Sequence, residues 1–263
     1  MRRIKAIGLV LVAMFAMGAV TAASASAETF PVFLEGLPPE LIHEGAHLPF
    51  LALGVGSYRF RLRPPNHNVL ILCKHVLMTG TLLPSGLTTG RVHFLECEVY
   101  VVDSNGTELL VTNCTVRSAG AAVGLILLNP VHDLLLFIGS KELAKELKGP
   151  VGDLFSPETG SEFVTLTFEG TGCPSPIVTG NTTVTGSVIA KVTRGVNEMN
   201  VNNSLNFTES PPTEGWRVNE KNEITTEVSI KALKIFGTLS ADEIGEINEG
   251  IHLLNEQEWG VQL

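Results

Sequence analysis

The stretch RVHFLECEVYVVDSNGTELLVTNC, residues 91–114, decides the fold. Two runs of β-branched, aromatic and aliphatic residues, 91–103 and 107–113, flank Ser104-Asn105-Gly106. Asn-Gly is the strongest short-range hairpin signal, because both residues tolerate positive φ. A two-residue loop at Asn105-Gly106 sets Cys97 opposite Cys114. Directly opposed pairs of that kind lie about 4.5 Å apart at Cα, whereas a disulfide favours about 5.5 Å or more. A turn one residue longer offsets the two cysteines. The favoured bridges are therefore Cys73 with Cys97 and Cys114 with Cys173, and the cross-hairpin pairing is the alternative among the three connectivities open to four cysteines.

On the N-terminal side, 69–73 is a continuous apolar run suited to a buried strand, and 76–81 reads as its neighbour. Tyr58-Arg59-Phe60-Arg61-Leu62-Arg63 alternates strictly, as a half-buried strand does, and its arginines read as the wet face of a sheet rather than an anion stripe. On the C-terminal side, 123–128 and 133–138 read as buried strands about a turn at Asn129-Pro130. Ser140 caps a short helix over 141–148, with Leu143 and Leu147 on its docking face. Strands are expected at 164–168, 182–194, 199–207 and 224–236. Ser240-Ala241-Asp242-Glu243 has capping-box form, so a second helix is expected with Ile244, Ile247 and Ile251 on one face and Gly250 as its stop. Its acids Asp242, Glu243, Glu246 and Glu249 read as a solvated face, lacking the ligand spacing of a calcium loop. The expected fold is mainly β, an antiparallel sandwich or barrel with one or two short helices, stapled by two disulfides.

At the N-terminus Arg2, Arg3 and Lys5 precede an apolar run, 6–20, and small residues ending Ala25-Ser26-Ala27. This is the layout of a cleavable secretory signal, residues 1–27, with an uncleaved membrane anchor as the competing reading. Residues 28–56, with Pro38-Pro39 and Pro49, read as an irregular lead-in, and 57–263 as a single β-rich domain. Cleavage near Ala27 leaves 15 basic against 27 acidic residues, a net charge of −12 that disfavours nucleic acid and anionic lipid as partners. The mature chain has no further run long enough to span a membrane. Four cysteines in an exported chain, the nearest two 17 apart, favour disulfides over a zinc site.

His43-Glu44-Gly45-Ala46-His47 matches H-E-x-x-H. On a helix the two histidines reach one zinc and the glutamate acts as general base, which would make the chain a metallopeptidase. Gly45 inside the motif and Pro49 just after it oppose a helix, and the later positions of the extended motif hold Phe50 and Leu53. Glu96, Glu98 and His93 fall on strands, and neither a G-x-S-x-G elbow nor a phosphate-binding glycine loop is present. The first reading is therefore a non-enzymatic secreted or envelope-associated structural or binding protein. It has no catalytic or cofactor residues, and its partner is a cell-surface polymer or another protein. The zinc hydrolase using His43, His47 and Glu44 is the alternative.

The succession of Cys73, Phe94 and Cys97, Cys114-Thr115-Val116-Arg117-Ser118-Ala119-Gly120, Asn129-Pro130, Val151-Gly152-Asp153-Leu154, 163–168 before Cys173, and Thr185-Gly186-Ser187-Val188-Ile189 resembles a group of secreted proteins of uncharacterised function. They form large paralogous sets in some actinobacteria. The likeness covers residues 65–207 and the signal, and it implies an exported, β-rich, four-cysteine bacterial domain with no catalytic residues to transfer. The H-E-x-x-H match falls outside it.

Overall fold

The structure, a computed structural model, describes residues 29–36, 38–43, 45–55, 69–175, 177, 179–207, 212–235, 239–240 and 245–263. The chain opens with β1 (Thr29–Phe30), β2 (Val32–Glu35), β3 (Glu40–Leu41) and β4 (Leu48–Val55). A long hairpin follows, β5 (Val69–Leu83) and β6 (Leu87–Val102), then β7 (Glu108–Leu110), β8 (Thr115–Ser118) and β9 (Ile126–Leu127). Next come β10 (Val131–Ile138), the helix α1 (Lys141–Lys145), β11 (Val151–Pro157), β12 (Glu162–Glu169), β13 (Gly180–Thr185), β14 (Val188–Arg194) and β15 (Asn203–Phe207). The last strands are β16 (Glu214–Asn219), β17 (Ile224–Ser229), β18 (Lys234–Ile235), β19 (Leu239–Ser240), β20 (Gly245–Leu253) and β21 (Trp259–Gln262).

Eight of these strands close on themselves. The order β4-β5-β6-β10-β11-β14-β15-β20 returns to β4, every neighbour is antiparallel, and the staves follow chain order. Of the two expected architectures, sandwich and barrel, the fold is the barrel. Closure removes the unpaired edges that an open sheet of this size would present. Inward side chains recur at every second residue, as along β5 at Val76, Met78 and Leu82, and on β11 at Val151, Asp153 and Phe155.

Two small sheets cap the barrel. The sheet β19-β18-β13-β12-β8 lays Phe163, Val164 and Val184 against the inward side chains of one end, including Val76, Phe94 and Phe207. The sheet β21-β2-β3 lays Phe33, Trp259 and Val261 against Leu82, Leu135 and Ile251 at the other. On the outside, Leu136, Ile138, Leu154 and Ile189 are covered by Val228 and Ile230, and α1 docks through Ala144 onto Trp216 and Val218. Ser140 caps that helix as expected, accepting a hydrogen bond from the Leu143 amide. The docking face agrees with the expectation in part: Leu147 packs with Ala144 against the Trp216 cluster, whereas Leu143 is exposed.

Midway along the barrel Gly80 pairs with Gly90, and the Phe50 ring fills the space a side chain would need. A Cβ on Gly80 would lie 2.3 Å from the Thr89 carbonyl oxygen and 2.7 Å from the Phe50 ring. The backbone contact cannot relax without moving a stave. Gly80→Ala is expected to cost about 2 kcal/mol, read as a lower urea midpoint at unchanged slope.

The four cysteines form two disulfides, Cys73–Cys97 and Cys114–Cys173. The pairing is the favoured one, but the argument against direct cross-strand bridges fails, because Cys73 and Cys97 are themselves opposed in register. Glu96 has a left-handed backbone (φ 52°) there, and the facing side reverses across it. Val76, Phe94, Met78 and Val92 belong to the barrel end, while Ile71, Val99, Cys73 and Cys97 are buried one residue out of phase with them. The 104–106 turn holds three residues between Asp103 and Thr107, with Gly106 at φ 82°, so Tyr100 faces Leu110 and Cys97 is displaced from Cys114. No free cysteine remains among the described residues, in keeping with an oxidising compartment. No helix among them is long and apolar enough to cross a membrane.

Several segments differ from expectation. The stretch 28–56 is not irregular: its described part carries β1 to β4, one of them a barrel stave, and the prolines sit at strand ends or at a stave position that tolerates them. Residues 69–83 are one strand rather than two, whereas 182–194 is split at Gly186 and 224–236 at residue 230. The helix expected from Ser240 is absent over 245–253, which is the stave β20, pairing with β15 and β4. Spacing of four residues places side chains together on a strand as well as on a helix, and closure of the barrel decided between them. The expected signal at 1–27, the strand at 58–63 and the acids Asp242 and Glu243 lie outside the described residues, as do the side chains of Glu246 and Glu249.

Candidate functional site

The described residues of the H-E-x-x-H match, 43 and 45–47, do not have the helical form that zinc chemistry needs. Gly45 is left-handed at φ 86°, and the Ala46 amide donates to the His43 carbonyl in a turn. His43 is exposed and lies 3.6 Å from Glu40, and His47 is exposed on the rim of a groove. Glu44 lies outside the described residues. The conceivable further ligands are engaged elsewhere: Glu96 with Lys74 at 2.9 Å, and Glu98 with the Tyr100 hydroxyl at 2.8 Å. Among the described residues no cluster of three or more His, Cys, Asp or Glu is placed to hold a metal.

The barrel interior is packed rather than hollow. Its apolar end encloses a cavity of about 50 Å³ between Val76, Phe155, Phe163 and Phe207, and its other end one of about 20 Å³. An engineered cavity of about 150 Å³ is needed to admit benzene, so neither space holds a ligand larger than a few atoms. Eight staves give an interior that side chains can just fill.

The smaller cavity carries the most unusual chemistry in the molecule. Asp133 on β10 and Asp153 on β11 both point inward, 2% and 6% exposed, diagonal to one another across the pair of strands. Thr88 on β6 faces Asp133 directly in register. Asp133 Oδ1, Asp153 Oδ1 and Thr88 Oγ1 are buried without a well-formed hydrogen bond. Burial pushes the Asp133 carboxyl up to about 7, against the opposing pull of Thr88 and Asp153. Burial, reinforced by the charge of Asp133, holds Asp153 well above the usual carboxylate range. Two like charges cannot both persist at this depth, so the pair keeps at least one proton at neutral pH.

An open groove of about 500 Å³ lies on the outer wall. Its floor is Leu154, with Ser156 and His132 paired across β10 and β11. One wall is Gly160-Ser161, and the other is the segment 231–234 leading into β18. Ser187 fixes that segment, donating to the Lys231 carbonyl at 2.9 Å and accepting from the Lys231 amide at 3.0 Å. Gly186, at φ 120°, lets the backbone of Ala232 come within 2.5 Å of where a Cβ would be. Ile230 and Leu233 anchor the segment inward, so Lys231 and Lys234 stand exposed at the rim. No acidic residue lines this groove among the described residues, in a chain with 27 of them. A larger groove of about 840 Å³ beside His47 mixes an acid, Glu220, with apolar Leu41, Ile42 and Leu87, and so favours no ligand charge.

Sequence reasoning passed over both features. A single acid in Val131-His132-Asp133-Leu134-Leu135 and another in Val151-Gly152-Asp153-Leu154-Phe155 were each legible as an acid at an inward strand position, and that was the available signal. The groove joins residues from four separate parts of the chain and left none. No family model, curated protein or solved structure matches the chain.

Proposed function

We propose that this chain is an exported, non-enzymatic binding domain of the kind its signal-like N-terminus and cysteine pattern resemble, and that its outer groove takes a sugar unit of a cell-surface polymer bearing an acidic group. The observation that carries this reading is the groove itself. Its volume falls in the range of small-ligand sites, its hydroxyls at Ser156, Ser161 and Thr185 suit sugar hydroxyls, and among the described residues its charged side chains are basic. The packed interior supports an external site over a calyx. The overall negative charge opposes long polyanions at low salt, so recognition rests on short-range contacts to one acidic group rather than on steering.

The test is retention of the exported protein on insoluble cell-wall polysaccharide carrying uronate or phosphate groups, with neutral glucan as control. Wild type is expected to bind the acidic polymer selectively, and Lys231→Gln with Lys234→Gln to bind about tenfold more weakly, the loss of one charge-assisted hydrogen bond. Equal retention of wild type and variant would remove the groove from consideration. Failure of wild type to bind any acidic polymer would remove the polymer.

A further inference from the structure

We propose that Asp133 and Asp153 form a proton-held latch on the plugged end of the barrel, so that a shared proton keeps the β2–β21 plug seated and its loss unseats the plug. The geometry places the two carboxyls in the cavity that the plug closes: Phe33, Trp259 and Val261 complete its lining opposite them. Strands β4, β5, β6, β14, β15 and β20 contribute only apolar side chains and the neutral Thr88, Asn203 and Ser204. No Lys, Arg, His, Glu or further Asp among the described residues faces the pair, so no cation is at hand to offset a second negative charge.

When both carboxyls ionise, the charge must be hydrated. The cavity holds about 20 Å³, room for roughly one water. Each stave around it pairs with a neighbour on both sides in a closed ring, whereas the plug is a separate three-stranded sheet, tied to the 195–203 segment by the Val261 amide on the Gly195 carbonyl, the Asn197 amide on the Val261 carbonyl, the reciprocal backbone bonds of Asn200 and Trp259, and Asn203 Nδ2 on the Trp259 carbonyl. Water therefore enters by displacing the plug. The sign follows from the raised pKa: stability is fully present below the unfolded carboxylate value of 3.8 and is lost as pH rises through about 7. Across that window the unfolding equilibrium constant rises about tenfold per pH unit.

Trp259, 3% exposed and bonded through its indole N–H to the Ile251 carbonyl, reports the plug. In a Trp216→Phe background it is the sole tryptophan of the chain. Its emission is expected to shift to the red, and its quenching by acrylamide to increase, as pH is raised from 6 to 9, and Asp133→Asn is expected to flatten both responses. Should Asp133→Asn fail to fold, Asp153→Asn serves, with the urea midpoint at pH 5 and pH 8 as a second readout that falls in wild type and stays level in the variant. A pH-independent emission, or one that titrates identically in the asparagine variants, overturns the latch. So does a response abolished by calcium, which would make the pair a cation site.

Discussion

Replacing Cys114 and Cys173 together by alanine lowers the stability of the domain by about 4 kcal/mol, the chain-entropy value for a loop of 59 residues. The bridge joins the start of β8 to the segment just after β12, and those two strands already pair from Leu166 with Ser118 to Glu169 with Thr115. Its effect therefore falls on the unfolded chain, which without it is free over the whole span that includes β9, β10, α1 and β11. Cys73–Cys97 closes only 24 residues, so the same double replacement there costs about 1 kcal/mol less by the logarithm of loop length. Urea titrations of the two double variants, each compared with wild type, measure both values. An equal loss in the two would mean that native packing around the sulfurs outweighs loop closure.

Arg217→Ala is expected to cost about 3 kcal/mol, the next largest effect. Arg217 lies on β16, 6% exposed, and its Nη2 donates to the Thr29 carbonyl at 2.7 Å and the Pro31 carbonyl at 2.9 Å. Burial lowers its pKa to about 10, which leaves it charged at neutral pH. Its partners are carbonyl dipoles, and removing the guanidinium strands both of them at the junction of β1 and β2. Arg217→Lys is not expected to restore the loss, because the lysine side chain ends one atom short of the Nη2 position that donates to both carbonyls. Limited proteolysis distinguishes the mechanism. Cleavage between β1 and β2 should appear in both variants before global unfolding, and uniform sensitivity along the chain would argue instead for a general packing defect.

Much of the architecture was legible because its signals are local. Continuous apolar runs and the Asn105-Gly106 turn announced strands and a hairpin, and four widely spaced cysteines announced bridges. What was not legible depends on partners distant in the chain. Residues 28–56 looked unstructured because prolines interrupt them, yet β4 is held by ladders to β5 and β20. Ile247 and Ile251 suit a helix or a strand equally, and only pairing with β15 and β4 selects the strand. The turn length at Ser104-Asn105-Gly106 shifted register by one residue, which no composition rule distinguishes. Of the candidate site, the histidine motif was legible and its geometry was not, whereas Asp133, Asp153 and the groove emerge only when β6, β10, β11 and the 231–234 segment come together.

The pairing of β4 with β20 has a consequence for biogenesis. The two staves meet at Ala52 and Ile251, about 200 residues apart, so the ring cannot close until nearly all of the chain has emerged. Until then β4 and β15 each lack one neighbour, and the nascent molecule stays an open, slow-folding sheet. The same delay leaves two unprotected edges, and a product truncated before β20 would keep them permanently, as a template for aggregation.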